Sequence, residues 1–325
     1  MSIGLIVLLF VTLDSDEIVE IGSRASIPML IAAALVAFGD RVLMAYKWNI
    51  LLKAKGIDVS IVSITGIYVT STFLGIFLPA TVGADTVRGV AVARRGHSGS
   101  DVISSILVER IVGLVALLVF VIIGFFLSVW LIGQEFLDNI WSVVALVAFV
   151  LAFVGGLVFI SLKRSLLRGA FLLVVNRKAG FREHKIVKKG AEIYESYRDY
   201  QGKPAALVAF LLLSFLENMF PIMWTYFLAQ AFGIDIPFPF LFVLVPIILV
   251  LVRIPISLDG FGVQEGGFVY ILSLIGIAGS EAFLLGASSH LLAIASVLPG
   301  GIIYAFGGLS LRDKNESVEK QTERT

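Results

Sequence analysis

Nine apolar stretches follow one another along this 325-residue chain. They lie at Ile3–Leu13, Ile27–Tyr46, Ile61–Pro79, Val102–Ile132, Ile140–Leu162, Pro204–Phe232, Phe238–Pro255, Val263–Ile277 and Ala282–Leu309. Several reach the roughly 20 residues that cross a bilayer as a helix, with few charges inside. Backbone N–H and C=O groups find no water in hydrocarbon, so a spanning segment must be a helix or a strand of a closed barrel. A barrel would read as short alternating strands, and that pattern is absent. The expected fold is therefore all-α, a polytopic integral membrane protein with about seven to nine hydrophobic segments. Hydrophobic residues make up 58% of the chain and charged residues 15%, with a mean hydropathy of +0.98. Soluble domains carry about 45–50% and about 25%.

Charge is unevenly placed. Between Lys163 and Lys203 eleven Lys/Arg face four acids, so that segment is +7 while the rest of the chain is −6. In a membrane protein such a run reads as a cytoplasmic loop obeying the positive-inside rule, and no nucleic-acid partner is expected. Further Lys/Arg gather at Lys47, Lys53 and Lys55 and at Arg88, Arg94 and Arg95. Acids dominate at Asp14, Asp16, Glu17 and Glu20, at Glu135 and Asp138, and at Asp235. The expected location is the cell membrane, with the basic loops cytoplasmic. The chain has no Cys, which excludes disulfides, thiolate catalysis and Cys-bound metal. Met1–Leu13 lacks a basic leader and a small-residue cleavage site, and is short for a span.

This orientation creates a constraint. Lys55 and Arg88 both fall on the inner side, so the chain between them crosses an even number of times. The apolar part, 61–87, is too short for two spans of roughly 20 residues each. A re-entrant hairpin over 61–95 fits, broken at Leu78–Gly83, with Pro79 and Gly83 as helix breakers. A second interruption runs from Arg253 to Glu265, where Pro255, Gly260 and Gly262 break an apolar run that also holds Ser257, Asp259 and Glu265. Paired interruptions in two halves of a chain point to a transporter's binding site. Within 163–203, Ile186, Ile193, Tyr194, Tyr197 and Tyr200 recur near helical spacing. They predict either an amphipathic helix on the cytoplasmic surface or a solvated connector. The domain layout is one transmembrane domain over 1–310 and a polar, disordered tail over 311–325.

The candidate site residues cluster around the interruptions. Asp85 and Arg88 stand at i and i+3, on one helical face just past the break. A helix N-terminus attracts phosphate, and the Arg88 fork matches its oxygens. The pair reads as a headgroup-phosphate site or as a structural ion pair. Glu109 and Arg110 open the next stretch. Glu109 is placed to pair with Arg88 or Arg41, and Arg110 can snorkel to the interface. Glu217 falls near the middle of 204–232, where an ionised group is expensive. It must face inward, as a protonated acid, a partner of Arg253 or part of a proton relay. Arg253, Ser257, Asp259 and Glu265 form a second cluster, read as a site or as a solvated turn. His290 reads as a hydrogen-bonded packing residue. His97, His184 and His290 carry no ligand spacing, and no nucleotide or hydrolase motif occurs, so no cofactor or metal is expected. Gly266–Gly267, Gly300–Gly301 and Gly307–Gly308 favour close helix packing.

Four ordered motifs resemble one family. They are the Lys47-Trp48-Asn49-Ile50-Leu51-Leu52 element following Arg41, the run Phe77–Arg88, the run Ser105–Leu114 and the segment Pro255–Glu265. Together, over roughly 30–310, they resemble the lysylphosphatidylglycerol synthase/flippase-type membrane domain. The resemblance implies a polytopic domain with re-entrant elements that moves lipids or lipid-linked headgroups between leaflets. Some members carry a fused cytosolic aminoacyl-transferase domain and many stand alone. About sixteen residues follow Leu309 here, so synthase activity is not expected. The expectation is a flippase-like, non-enzymatic transporter of an anionic or phosphate-containing lipid, such as a phospholipid, an aminoacyl-lipid or a polyprenyl-phosphate-linked lipid. The alternative is an accessory subunit of, or an enzyme in, lipid or glycolipid modification. Membrane lipids are the expected partners, with a separate synthase or glycosyltransferase and a second copy of the chain as candidates.

Overall fold

The computed structural model describes residues 15–78, 82–132, 185–253 and 259–307, with isolated positions at 145 and 148. Ile3–Leu13, Ile140–Leu162, most of the 163–203 loop, Pro79, Pro255, Ser257, His184 and the 311–325 tail lie outside the described residues. The described chain is helical and contains no strand. Its helices are α1 (Ser15–Ser23), α2 (Ile27–Ala54), α3 (Ile61–Gly75), α4 (Val82–Ala93), α5 (Gly99–Ile132), α6 (Lys185–Asp199), α7 (Pro204–Phe232), α8 (Phe238–Arg253), α9 (Val263–Ser273), α10 (Gly279–Ala295) and α11 (Leu298–Gly307). Among the described residues four apolar stretches are long enough to cross a membrane: Ile27–Ala54, Gly99–Leu127, Pro204–Phe232 and Gly279–Phe306. Leu35, Val62, Phe126 and Phe306 stand out from the bundle, a surface that suits lipid and not water.

The long helices α2 and α7 form an antiparallel pair at the centre. Both begin with Pro in the first turn, where its missing N–H would have had no partner. Helix α7 ends on Gly233, whose φ of +73° closes the last turn. At one end of the pair the Ser26 amide donates to the Ala231 carbonyl at 2.9 Å. At the other, the Tyr200 hydroxyl donates to the Leu51 carbonyl at 2.9 Å, and the Lys203 ammonium reaches the Ala54 carbonyl. The first end carries Asp16, Glu17, Glu20 and Asp235, and the second carries Lys53, Lys55, Arg95 and Lys203. These are called the acidic and basic ends below.

Two helical hairpins enter this frame from opposite ends. Helices α3 and α4 open at the basic end, where Arg95 reaches the Ser63 hydroxyl at 2.7 Å, and close where Gly75 packs against Ala84. Helices α8 and α9 open at the acidic end, where the Tyr226 and Phe238 rings meet at 5.2 Å. They close with Gly260 against Val252 and Gly267 against Ile248. At 15 and 11 residues, α3 and α9 measure about 22 and 17 Å, short of a hydrocarbon core of about 30 Å. At the two expected interruptions the described helices end at Gly75 and Arg253 and resume at Val82 and Val263, with Pro79 and Pro255 outside the described residues. Gly83 is corrected, however: it lies in the first turn of α4, which starts at Val82.

Other boundaries differ in instructive ways. The acidic segment after Asp14 holds a helix, α1, that its charge concealed. The Ala282–Leu309 stretch is two helices, because α10 stops at Ser296 and Pro299 cannot continue its ladder. Helix α11 then packs on α3, with Gly300 against the Val69 carbonyl and Gly301 against the Phe73 ring. Those glycines permit the close approach expected of them. In the 266–267 pair only Gly267 does so, since Gly266 faces open space.

Helix α6 exists, but a polar seam ties it to the protein. Ser196 donates to Asp101 at 2.5 Å and lies 2.7 Å from the Ser104 hydroxyl, while Lys55 bonds Asp199 at 3.1 Å and sits over the Tyr200 ring. Burial pushes the Tyr200 hydroxyl well above its ordinary pKa. Two larger apolar clusters, and a small one of Leu51, Val108, Tyr200 and Phe210, complete the described core. One, toward the acidic end, stacks Phe120 on Phe242 and Phe215. The other, toward the basic end, gathers Trp48, Leu52, Ile64, Ile67, Tyr68, Val92 and Ile106.

Candidate functional site

The first hairpin delivers a buried guanidinium. Helix α4 turns Arg88 inward until 3% of it remains exposed. Its Nη2 and Nε donate to Asp85 Oδ1 at 2.6 and 3.1 Å, which confirms the i, i+3 pairing. Nη1 stands 2.8 Å from Glu109 Oε2, in charge contact but out of line for a hydrogen bond. The flat face of the guanidinium lies over Trp48 at 4.7 Å and Tyr68 at 4.9 Å. Trp48 is held by its N–H donating to Ser105 at 3.0 Å, and the Tyr68 hydroxyl reaches Glu109 at 3.4 Å. Arg110 grips the other Asp85 oxygen with Nε and Nη2 at 2.9 and 2.8 Å. Four helices thus converge on one carboxylate–guanidinium lattice, in which Arg88 and Asp85 each bridge two opposite charges.

A second arm of the lattice lies between α2 and α7. Glu217, expected as a protonated acid, a partner of Arg253 or part of a proton relay, is ion-paired with Lys47, which also donates to Ser214 at 3.1 Å and lies over the Phe210 ring. Helix α2 continues to Ala54, so Lys47 is two turns inside it and points into the bundle at the depth of Glu217. Arg41 donates to Ser296 at 2.8 Å and holds Asp40 at 3.7 Å, leaving the buried Asp40 Oδ1 without a hydrogen bond.

Arg253 differs from the other cations. It ends α8, at the tip of the second hairpin, half-buried. It lies within electrostatic reach of Arg110, Glu217, Glu109 and Tyr68. It makes no hydrogen bond or ion pair with a described residue. Counted as ionised, the lattice holds five cations (Arg41, Lys47, Arg88, Arg110, Arg253) and four carboxylates (Asp40, Asp85, Glu109, Glu217). Among these described residues one positive charge is left over, and Arg253 is the cation that pairs with none of them. A desolvated cation is costly unless something answers it.

Glu265 does not join this lattice. As the third residue of α9 it turns back to accept the Gly262 amide at 2.7 Å, and its other oxygen lies 2.8 Å from His290 Nδ1 on α10. Its expected role at the substrate site is corrected on that ground: both oxygens are engaged 4% exposed beneath the hairpin. His290 Nε2 faces Asp259 at 3.7 Å. Among the described residues no group of three or more side chains is arranged to hold a metal.

Of the residues singled out from sequence, Asp85, Arg88, Glu109, Arg110, Glu217 and Arg253 come together, and Arg41 lies at the edge. Lys47 and Tyr68 were not seen as members of the lattice. Lys47 looked like a topological flank because the apolar run stops at Tyr46, although the helix does not. Tyr68 gave no signal within an apolar run.

The fold and this interior define an all-α, multi-pass membrane protein with an ion-paired polar centre. The chain belongs to the lysylphosphatidylglycerol synthase transmembrane-region family, whose sequence model matches residues 1–301. It is also similar to a UPF0104 membrane protein of Pyrococcus horikoshii, 22% identical over 280 residues that cover 81% of this chain and 82% of that one. No solved structure matches the chain significantly. Family membership ties the protein to lipid handling.

Proposed function

We propose that the protein is a flippase-like transporter that moves an anionic, phosphate-bearing lipid between leaflets, with Arg253 as the group that meets the headgroup. The observation carrying this reading is a half-buried Arg253 that no described residue pairs, beside described lattice residues with one positive charge in excess. A phosphodiester brings one negative charge and oxygens that match a guanidinium fork. The lattice around it is fixed by its own ion pairs, so a headgroup can be received without collapsing the interior. Two pairs of short helices that close on one another at Gly75–Ala84 and Gly260–Val252 suit re-entrant elements, since irregular backbone is tolerated at membrane depth only where protein or a cavity surrounds it. The positive-inside rule places the Lys/Arg-rich end in the cytoplasm, in keeping with the cell membrane as the location. In this reading no covalent bond is made or broken, and the protein is a carrier and not an enzyme.

The test is reconstitution into vesicles of phosphatidylcholine and phosphatidylglycerol carrying a fluorescent phosphatidylglycerol, with dithionite quenching to follow leaflet exchange. Exchange above protein-free vesicles, reduced at least tenfold in Arg253→Gln, supports the proposal. Exchange equal to protein-free vesicles overturns it. Equal exchange of labelled phosphatidylglycerol and of a labelled uncharged diacylglycerol overturns the headgroup role of Arg253.

A further inference from the structure

Outside the lattice lies a buried histidine. His290 on α10 has both ring nitrogens aimed at carboxylates: Nδ1 at Glu265, 2.8 Å away, and Nε2 at Asp259, 3.7 Å away. A neutral imidazole owns one N–H. If that proton sits on Nδ1, the Nε2 lone pair faces a carboxylate oxygen; on Nε2, the Nδ1 lone pair does. Only the imidazolium offers a proton to each neighbour. The geometry is therefore complete in the protonated state and frustrated in the neutral one.

The surroundings isolate this triad. His290 is 4% exposed, and the Phe261 ring lies against the imidazole with centroids 4.3 Å apart. Glu265 is fixed from behind by the Gly262 amide. Asp259 is the variable member. Its side chain is 38% exposed, and its φ of +49° is an uncommon conformation for a non-glycine residue. Charged groups on the other helices packed against α10 are directed elsewhere. On α2, Arg41 bonds Ser296 and contacts Asp40, while Lys47 pairs with Glu217 of α7. On α1, Glu20 pairs with Arg24 at 2.5 Å, and Asp16 and Glu17 lie with them toward the acidic end. On α10 itself Glu281 occupies the first turn, more than two turns from His290. The two groups facing His290 are Glu265 and Asp259.

We propose that His290, held between Glu265 and Asp259, is a proton-binding site that gates the lipid movement, with Asp259 as its exposed mouth. A proton arrives from water at the Asp259 carboxylate, passes to the imidazole and leaves by the same path. When His290 carries it, Asp259 is drawn to the ring and the 259–262 turn is held. When it is lost, one carboxylate faces a lone pair and the turn is released. Proton occupancy therefore changes the start of α9, in the hairpin whose other helix ends on Arg253. The coupling part of this inference rests on the lipid-transport reading, and the proton site does not.

Two measurements separate the parts. The first is NMR titration of 13C,15N-histidine-labelled full-length protein in nanodiscs, with His290 assigned by its loss in His290→Gln. Asp259→Asn is the probe variant, because Asn accepts a positive φ readily and leaves the buried Glu265–His290 pair intact. The His290 midpoint should fall by about one pH unit or more in Asp259→Asn. An unchanged midpoint, or a His290 that does not titrate between pH 5 and about 10, overturns the proton site. The second is lipid exchange in the vesicles above, with and without a pH gradient. A rate changed at least threefold by the gradient in wild type and insensitive in His290→Gln supports coupling. Normal exchange indifferent to the gradient overturns coupling and leaves lipid movement standing. If no exchange occurs at all, the transport reading fails, coupling fails with it, and the titration alone decides the proton site.

Discussion

The two hairpins are alike in outline and opposite in chemistry. Each is a pair of short helices that enters the bundle from one end and turns inside it. The α3–α4 hairpin carries Arg88 and Asp85, and each is answered twice, by Glu109 and by Arg110 as well as by the other. The α8–α9 hairpin carries Arg253, which no described residue answers, and a turn with Asp259, Gly260 and Gly262 all at positive φ. The first is a finished electrostatic structure. The second is an incomplete one, with its only strong polar anchor at Glu265 and His290. Buried charge that is fully paired specifies a shape, whereas buried charge left over specifies a ligand.

Removing a charge from the finished hairpin should have the largest effect. Arg88→Ala leaves Asp85 with one partner and Glu109 with only the Tyr68 hydroxyl. It should destabilise the protein by about 3–5 kcal/mol, read as a fall in the tryptophan-fluorescence melt, with Trp48 losing the cation above its ring. A melt like wild type would erase the distinction between the hairpins. Next in size is the anchoring of that hairpin by α11. Gly300→Val would force side-chain atoms into the Val69 carbonyl, a loss of about 1–3 kcal/mol. Gly266→Ala, on the second hairpin, meets open space and should leave the melt within about 0.5 kcal/mol.

A smaller effect is expected outside both hairpins. Tyr200→Phe removes the hydrogen bond to Leu51 and should lower stability by about 1 kcal/mol. Because burial raises the Tyr200 pKa in the fold, the unfolded chain loses that proton first as pH rises. The stability contribution of Tyr200 should then be full below about pH 10 and fall above it. Alkaline melts of wild type and Tyr200→Phe should converge; parallel curves would count against a buried, neutral hydroxyl. Arg253→Gln should likewise stay within about 0.5 kcal/mol of wild type, while the proposed role expects its lipid exchange to fall. A large destabilisation there would mean that Arg253 is a structural cation like Arg88, and the comparison would collapse.

Much of this was legible before any coordinates. The helix over 204–232 is visible to the residue because Pro opens it and Gly closes it. The ends of α3 and α8 were foreshadowed by Pro and Gly clustered just beyond them, whereas Pro221 and Pro246 stay inside helices. The Asp85–Arg88 pair followed from helical spacing alone. The errors share one cause: local hydropathy was used to end elements that tertiary contacts extend or divide. Lys47 looked like a flank, yet α2 runs on to Ala54 because Trp48, Leu51 and Leu52 bury their side chains in the core. The 282–309 stretch looked like one helix, yet it parts at Ser296, where Arg41 takes the hydroxyl.

The sequence by itself determined that this chain lives in a bilayer as helices, that two of its apolar runs are interrupted by Pro and Gly, and that Glu217 lies too deep to be solvated. Those follow from the thickness of hydrocarbon and the cost of bare backbone within it, which act on each segment separately. Which charge meets which was decided only by the tertiary structure. Glu217 chose Lys47 over Arg253, Glu265 turned to His290, and Arg253 was left over. Such pairings are set by the relative rotation and depth of helices far apart in the chain, to which no single segment's pattern is sensitive.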